Sequence, residues 1–186
     1  MSIRQSYKTI LNELQKTTLS IDERDFNKFA EILVNSWHIY VTGKGRSGLA
    51  ASAFANRLLH LGFSVSIIGE ITSPHTSAND CLIVVSGSGE TETLISVVKK
   101  AHEQNLTVVL LTMNKKSKMS QMSDLVINIP GASPKVSKEV EVQSIQPMGS
   151  LFEQTTFLLL DAFVLEMMKK LNIEEDAMYA NHADIE

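Results

Sequence analysis

Several features that narrow a protein's function are scarce in this chain of 186 residues. It has one cysteine, four prolines and one tryptophan. A single cysteine, Cys81, cannot form an internal disulfide, which favours a reducing compartment. Because Cys81 lies in an apolar run, we interpret it as a buried strand thiol rather than a nucleophile.

Excess positive charge and long apolar stretches are also missing. The chain has 17 Lys and Arg against 21 Asp and Glu, a formal net charge of −4, whereas a general nucleic-acid binder carries a basic stripe. No run approaches the ~18 consecutive apolar residues of a membrane span, and the N-terminal pattern is not that of a signal peptide. We therefore expect a cytoplasmic protein that binds neither nucleic acid nor membrane.

What the chain does have is a globular composition, with 44% hydrophobic and 20% charged residues. Its length predicts a single domain over residues 1–186 with room for a sizeable core. Two amphipathic helices are expected within residues 1–35, an α/β core over residues 36–171, and a tail over residues 172–186.

Beyond residue 35, short apolar runs alternate with helical patterns. This alternation predicts right-handed crossovers and a parallel sheet of about five strands in a three-layer αβα fold. The predicted strands are residues 38–42, 64–68, 80–85, 106–112 and 125–129, and the helices between them are residues 47–61, 91–104 and 117–122.

Two segments near the C-terminus differ from the rest. Residues 130–147 hold three of the four prolines and four charged residues, and so long an irregular segment is usually functional or mobile. Residues 148–171 predict a helix that is apolar on nearly every side and must be covered all round. A second copy of the chain is the simplest cover, so we expect a homo-oligomer, a dimer or a tetramer.

Two glycine-rich loops each follow a predicted strand and open a predicted helix. The first, residues 43–48, reads Gly-Lys-Gly-Arg-Ser-Gly, and Glu70 lies where a dinucleotide-binding fold places its acidic residue. Glycines let the backbone approach an anion, and the helix start offers free N–H groups. This loop alone is compatible with a nicotinamide cofactor and with a phosphate.

The second loop, residues 86–91, reads Ser-Gly-Ser-Gly-Glu-Thr and favours the phosphate. A dinucleotide fold needs one such loop, not two, and neither loop ends in the Gly-Lys-Ser/Thr of a Walker-type loop. Serine and threonine also cap helices, but hydroxyls this dense can bind a phosphate without net positive charge. The hydroxyl-bearing residues are Ser47, Ser86, Ser88 and Thr91.

At these residues the sequence resembles the sugar isomerase (SIS) domain, a flavodoxin-like αβα module that binds phosphosugars. Within that group it is similar to the 6-phospho-3-hexuloisomerase family in residues 45–48, 57–63, 146–154 and 182–186. The resemblance covers nearly the whole chain, and residues 146–154, Gln-Pro-Met-Gly-Ser-Leu-Phe-Glu-Gln, are its most specific part.

This resemblance implies the isomerisation of D-arabino-hex-3-ulose 6-phosphate to D-fructose 6-phosphate by proton transfer through an enediol. That reaction belongs to the ribulose monophosphate pathway of formaldehyde fixation, with 3-hexulose-6-phosphate synthase as the pathway partner. No metal and no organic cofactor are expected, and the five histidines show no ligand spacing.

The resemblance also implies the residues of the site. Glu153 is the expected base, and His60 and His182 are expected to move hydroxyl protons. The tail is expected to fold over a site, which could belong to a neighbouring subunit. The expected substrate-binding residues are Arg46, Ser47, Ser86, Gly87, Ser88, Gly89, Glu90 and Thr91.

A non-catalytic phosphosugar-binding SIS module stays open as an alternative, because it needs the hydroxyl-rich loop but not Glu153. Such modules are usually joined to a DNA-binding segment, and residues 1–35 show no helix-turn-helix signature. A nicotinamide-dependent enzyme is disfavoured because little chain remains for a substrate domain.

Overall fold

The structure, a computed structural model, describes residues 2–132 and 143–184. Most of the irregular segment predicted at residues 130–147 therefore lies outside the described residues, as do the last two residues of the tail. Elements are numbered in chain order. The helices are α1 Ile3–Thr17, α2 Glu23–Asn35, α3 Gly45–His60, α4 Glu92–Glu103, α5 Ser150–Leu171 and α6 Glu175–Ala180, and the strands are β1 Ile39–Gly43, β2 Val65–Ile67, β3 Cys81–Val85, β4 Thr107–Thr112 and β5 Leu125–Asn128.

The five strands form one sheet in the order β2-β1-β3-β4-β5. Every pairing is parallel, and Gly43 at the end of β1 is in register with Val85 at the end of β3. The prediction of a five-stranded parallel sheet is confirmed, and its strand order is that of the flavodoxin-like fold.

Helices cover both faces of the sheet, because successive strand side chains point to opposite faces. On one face Val41, Ile83 and Leu111 pack against α2, α3 and α5. On the other face Val84 and Leu110 pack against α4. The three-layer αβα architecture predicted from the alternating pattern is thus confirmed.

The cysteine lies in β3 as predicted. Cys81 is fully buried in the core between the sheet and its helices. Burial raises the pKa of its thiol to about 12, so the thiolate does not form near neutral pH. This agrees with a packing role rather than a nucleophilic one.

Most elements begin or end one or two residues from their predicted bounds, and two of the differences have local reasons. α3 begins at Gly45 rather than Ser47, so the second half of the first glycine loop is the first helical turn. The predicted helix over residues 117–122 is only a 3₁₀ turn at Ser120–Met122. The Ser117 hydroxyl accepts from the Ser120 N–H at 3.1 Å, and such side-chain bonds compete with an α-helix.

Apolar side chains remain exposed on α1 and α5. On α1, Ile3, Tyr7 and Leu11 lie one helical turn apart and are 87%, 62% and 46% exposed. α5 buries one side against the sheet and leaves Phe157, Leu158 and Leu165 exposed. None of the helices in the described part of the chain is long and apolar enough to cross a membrane.

Candidate active site

A polar cleft of about 690 Å³ opens at the carboxyl ends of β1 and β3. The two strands lie side by side, but the helices that follow them cover opposite faces of the sheet. Such a divergence of connections creates a crevice where α/β folds bind ligands. Both glycine loops and the first turn of α5 line this cleft, which we call the Glu153 cleft.

The glycines of the first loop let β1 and α3 approach each other closely. A Cβ on Gly43 would lie 2.9 Å from the Cα of Gly48, and a Cβ on Gly48 would lie 2.9 Å from the Gly43 carbonyl oxygen. Gly45 has a φ of +57°, in the left-handed region. This packing brings Arg46 and Ser47 to the cleft wall.

The second loop is held from behind by the chain that follows β4. The Gly87 carbonyl accepts from the Thr112 hydroxyl at 3.1 Å, and the Ser88 carbonyl accepts from the Asn114 amide at 3.2 Å. The Met119 N–H donates to the Gly89 carbonyl at 3.2 Å. Free carbonyl oxygens would repel a phosphate. Because these three carbonyls accept hydrogen bonds from the chain behind the loop, the loop is suited to an anion site. The loop residues that line the cleft are Ser86, Gly87, Ser88 and Thr91.

Gly89 and Glu90, expected to bind substrate, do not line the cleft. Gly89 has a φ of +65°, and a Cβ there would lie 2.0 Å from the Ser117 hydroxyl oxygen. The Glu90 carboxylate accepts from the Lys118 N–H at 2.8 Å and lies 3.6 Å from its ammonium. The structure therefore gives both residues a supporting position behind the loop.

Glu153 faces the loops from the first turn of α5. Its N–H donates to the Gly149 carbonyl at 3.1 Å, and its side chain is only 18% exposed. The Arg46 guanidinium donates to its carboxylate through Nε. The cleft thus contains a largely buried carboxylate, a guanidinium and several hydroxyls, which together can hold a phosphorylated ligand and move a proton.

His60 and His182 lie together, but not in this cleft. Both line a second cleft of about 390 Å³, with Ser52, Asn56 and Glu70, which we call the histidine cleft. The two rings are stacked with centroids 5.3 Å apart. His60 lies fourteen positions after Arg46 in α3, about 21 Å along the helix axis. Within one chain, the structure does not bring the histidines to Glu153.

The hydrogen bonds of the two rings are complementary. Arg57 Nη1 lies 3.3 Å from His60 Nδ1, and because a guanidinium only donates, His60 carries its proton on Nε2. His182 Nδ1 lies 2.9 Å from the Ala183 carbonyl oxygen, so Nδ1 donates, and in the neutral form of the ring Nε2 is then the acceptor. The pair therefore presents one donor and one acceptor.

The surroundings of His60 keep its ring neutral. Burial, with smaller contributions from Arg57 and His182, lowers its pKa below the usual 6.5.

The tail is held at the same end of α3, because the Asn181 amide donates to the His60 carbonyl at 3.0 Å. The tail thus folds against the end of α3.

Comparison with known proteins decides the family. A family model described as the SIS domain matches residues 32–160. The chain belongs to the SIS domain family. The matched range contains both glycine loops and Glu153, so the cleft described above lies within the SIS domain.

Relatives of this SIS domain protein match nearly its whole length. It is 42% identical to a 3-hexulose-6-phosphate isomerase of Bacillus subtilis over 177 residues, with 95% of each chain covered. It is 33% identical to a 3-hexulose-6-phosphate isomerase of Methylomonas aminofaciens, with 95% and 94% covered. A crystal structure from Methanococcus jannaschii, for which the function of a 3-hexulose-6-phosphate isomerase was inferred, superposes with a TM-score of 0.84 at 30% identity, with 98% and 99% covered.

Several residues outside the expected substrate-binding set also shape the cleft of this SIS domain. Lys44, which stands where the family usually has a small residue and could add charge beside the phosphate, lines the cleft beside Arg46. Met113 and Phe152 form an apolar wall, for which no sequence signal exists, because their meeting depends on how α5 crosses the sheet. The chain between residues 147 and 150 also lines the cleft, within the stretch that carries the family resemblance.

Proposed function

We propose that this SIS domain protein interconverts D-arabino-hex-3-ulose 6-phosphate and D-fructose 6-phosphate. The observation that carries the proposal is the Glu153 cleft, where a shielded carboxylate faces a hydroxyl-rich phosphate loop. The similarity to 3-hexulose-6-phosphate isomerases across 95% of the chain supports this choice among phosphosugar reactions.

In this proposal the phosphate binds against the second loop. Ser86, Ser88 and Thr91 supply hydroxyls, and the start of α4 supplies N–H groups and the positive end of its dipole. Ser47 and Lys44 complete the site from the first loop. This arrangement explains how a chain of net charge −4 binds an anion locally.

Glu153 is the proposed base for the carbon-bound proton. Its carboxylate removes the proton from C2 of the 3-ulose, and the electron pair forms the C2–C3 double bond of an enediol as the C3 carbonyl oxygen takes up a proton. Loss of the C2 hydroxyl proton then forms the C2 carbonyl, and the proton on Glu153 returns to C3. In the same proposal the ligand releases Arg46 from Glu153, and the guanidinium then stabilises the oxygen that carries negative charge.

His60 and His182 are the proposed carriers of the hydroxyl protons, working from a neighbouring subunit. One ring offers a donor and the other an acceptor, as this exchange requires. Because the histidine cleft lies about 21 Å from Arg46 along α3, one chain cannot place all three groups on one sugar. A second copy can.

The exposed apolar faces of α1 and α5 support an oligomer, which we propose to be a tetramer, with a dimer as the smaller assembly. Contiguous apolar patches on a surface mark association sites. Light scattering at micromolar concentration tests this, and a monomer overturns both the assembly and the shared site.

We also propose a cytoplasmic location, where the free Cys81 stays reduced.

The test is a coupled assay with purified protein. Ribulose 5-phosphate, formaldehyde and 3-hexulose-6-phosphate synthase supply the substrate, and fructose 6-phosphate formation is followed. We expect turnover without added metal or cofactor. Binding of fructose 6-phosphate without turnover would instead indicate a phosphosugar-binding module.

Mixed oligomers test the shared site. Glu153→Gln and His60→Gln are each expected to lose most of their activity alone, at least about 100-fold. Oligomers that contain both variants are expected to regain activity, because some sites then combine an intact Glu153 with an intact His60 from the neighbour. Failure to regain activity in oligomers verified to be mixed would place the histidines outside the site.

A further inference from the structure

The chain that enters α5 is tied to the first helix of the protein. The Glu13 carboxylate, on α1, accepts from the Ser144 hydroxyl at 2.7 Å, the Ile145 N–H at 2.9 Å and the Gln146 side-chain amide at 2.9 Å. The Gln146 N–H in turn donates to the Ser144 hydroxyl at 3.0 Å. Three consecutive residues are thus held by one carboxylate more than 130 positions away in the sequence.

Residues 147–150 follow this contact immediately and form a wall of the Glu153 cleft. The Ser150 N–H donates to the Pro147 carbonyl at 3.2 Å, and the Glu153 N–H donates to the Gly149 carbonyl at 3.1 Å. Glu13 is therefore connected to the candidate base, Glu153, by its hydrogen bonds to residues 144–146 and by the short stretch of backbone that follows them.

This wall has an unfavourable conformation that needs support. Met148 has a φ of +58°, in the left-handed region where a side chain costs energy. Its side chain is 74% exposed, so packing of that side chain does not compensate. Such a conformation persists where neighbouring contacts determine it, and the contact with Glu13 lies two residues before it.

The chemistry of Glu13 suits this role. It is the only acidic residue in α1, and it is half-buried. Burial raises its pKa, but the hydrogen bonds from Ser144, Ile145 and Gln146, together with Lys16, outweigh that effect and lower the pKa below its usual value. The side chain is therefore a charged acceptor, and charge-assisted hydrogen bonds are the stronger kind.

We propose that Glu13 is a positioning residue of the active site, holding residues 144–146 so that residues 147–150 keep the shape of the substrate cleft. It touches neither substrate nor base. Its effect is on the fraction of molecules whose cleft is ready to bind, which appears in the apparent affinity. The proposal rests on the proposed isomerase function only for its kinetic readout.

Glu13→Gln is the sharpest variant, because it keeps size and shape. An amide offers one acceptor oxygen and places an NH₂ group where the second oxygen was. At least one of the three bonds is lost, and two N–H donors then face each other. We expect the binding-competent shape of the cleft to be present in only about a tenth to a fifth of the molecules. KM would then rise about five- to tenfold, with kcat within twofold of the wild type.

Matched variants separate positioning from general stability. Glu166→Gln makes the same chemical change at an exposed ion pair with Lys169 on α5, and is expected to leave KM unchanged. Gln146→Ala is expected to raise KM, and the Glu13→Gln/Gln146→Ala pair to do no more than the larger single effect, because both act through one contact. Unchanged KM in Glu13→Gln, or additive effects in the pair, would overturn the proposal.

Amide hydrogen exchange supplies a readout that needs no enzymatic activity. In Glu13→Gln, peptides covering residues 146–153 are expected to exchange faster, while those covering residues 86–91 are not. If the wild type lacks isomerase turnover, the proposed function fails and the exchange result still decides the role of Glu13. If Glu13→Gln does not fold, Gln146→Ala with the same exchange measurement decides it, and unchanged exchange overturns the proposal.

Discussion

The two polar clefts at opposite ends of α3 are lined by different kinds of chemical group. The Glu153 cleft combines backbone loops, hydroxyls and an Arg–Glu pair at the carboxyl edge of the sheet. The histidine cleft combines two imidazoles that meet only because the tail returns to the end of α3. The first suits binding of an anion and transfer of a carbon-bound proton, and the second suits exchange of hydroxyl protons near neutral pH.

Under the proposed function, the two ends of α3 would serve two parts of one reaction. Parallel strands end at one edge, so the groups attached to strand ends come together without help from the rest of the chain. Groups at the far end of α3 are excluded from that edge by the length of the helix. They contribute to the same chemistry only if another subunit presents them.

The largest expected effect concerns the Glu153 cleft. Glu153→Gln removes the proposed base while keeping its shape, and we expect kcat to fall roughly 10²–10⁴-fold. Binding of fructose 6-phosphate, measured by calorimetry, is expected to persist. Glu166→Gln on the same helix is the control. More than a tenth of wild-type activity in Glu153→Gln would remove it as the base.

A smaller loss is expected from the histidine cleft. His60→Gln keeps a side chain that can donate but cannot exchange protons at neutral pH, and we expect kcat to fall roughly 10²-fold. His102→Gln, at an exposed histidine on α4 that bonds the Met122 carbonyl, is the control. Equal activity of the two variants would mean that the clefts do not work together.

The packing of the second glycine loop is tested by comparing Gly89 with Gly45 of the first loop. Gly45→Ala and Gly89→Ala both place a side chain at positive φ, which costs about 1–2 kcal/mol of unfolding free energy. Only Gly89 has Ser117 in the way, so we expect Gly89→Ala to cost about 1–3 kcal/mol more. Urea unfolding at equal protein concentration measures the difference, and equal losses would contradict the contact.

The smallest effect is a titration. We expect NMR to find the His60 pKa below 6.5, and Arg57→Gln to move it up toward that value. The unfolded chain takes up this proton near pH 6.5 and the folded chain only at lower pH, so the native state loses stability as the pH falls below 6.5. A His60 pKa above 6.5 would contradict the arrangement of its neighbours.

Much of the Glu153 cleft could be predicted from the sequence because its parts are local. Each glycine loop directly follows a strand, and in a parallel sheet the ends of neighbouring strands meet. Ser86, Ser88 and Thr91 therefore reach the cleft as expected. Glu90 does not, because its carboxylate binds Lys118, a contact with a loop that no local pattern reveals.

The separation of Glu153 from the histidines could not be predicted, since motif resemblance carries no distances. The proposed role of Glu13 could not be predicted from the sequence either. In the sequence Glu13 is one polar residue of an amphipathic helix, and only the fold brings residues 144–146 to it.

The sequence by itself determined the class of fold, the place of the two glycine-rich loops at strand ends and the net charge of −4. These follow from periodicity, from residue types at strand ends and from charge, all of which are local or additive properties. The tertiary structure alone decided which side chains share a cleft, that the Glu90 carboxylate meets Lys118 outside that cleft, and that one carboxylate on α1 binds the chain that enters α5. Those depend on how distant segments pack, and packing is a property of the whole chain.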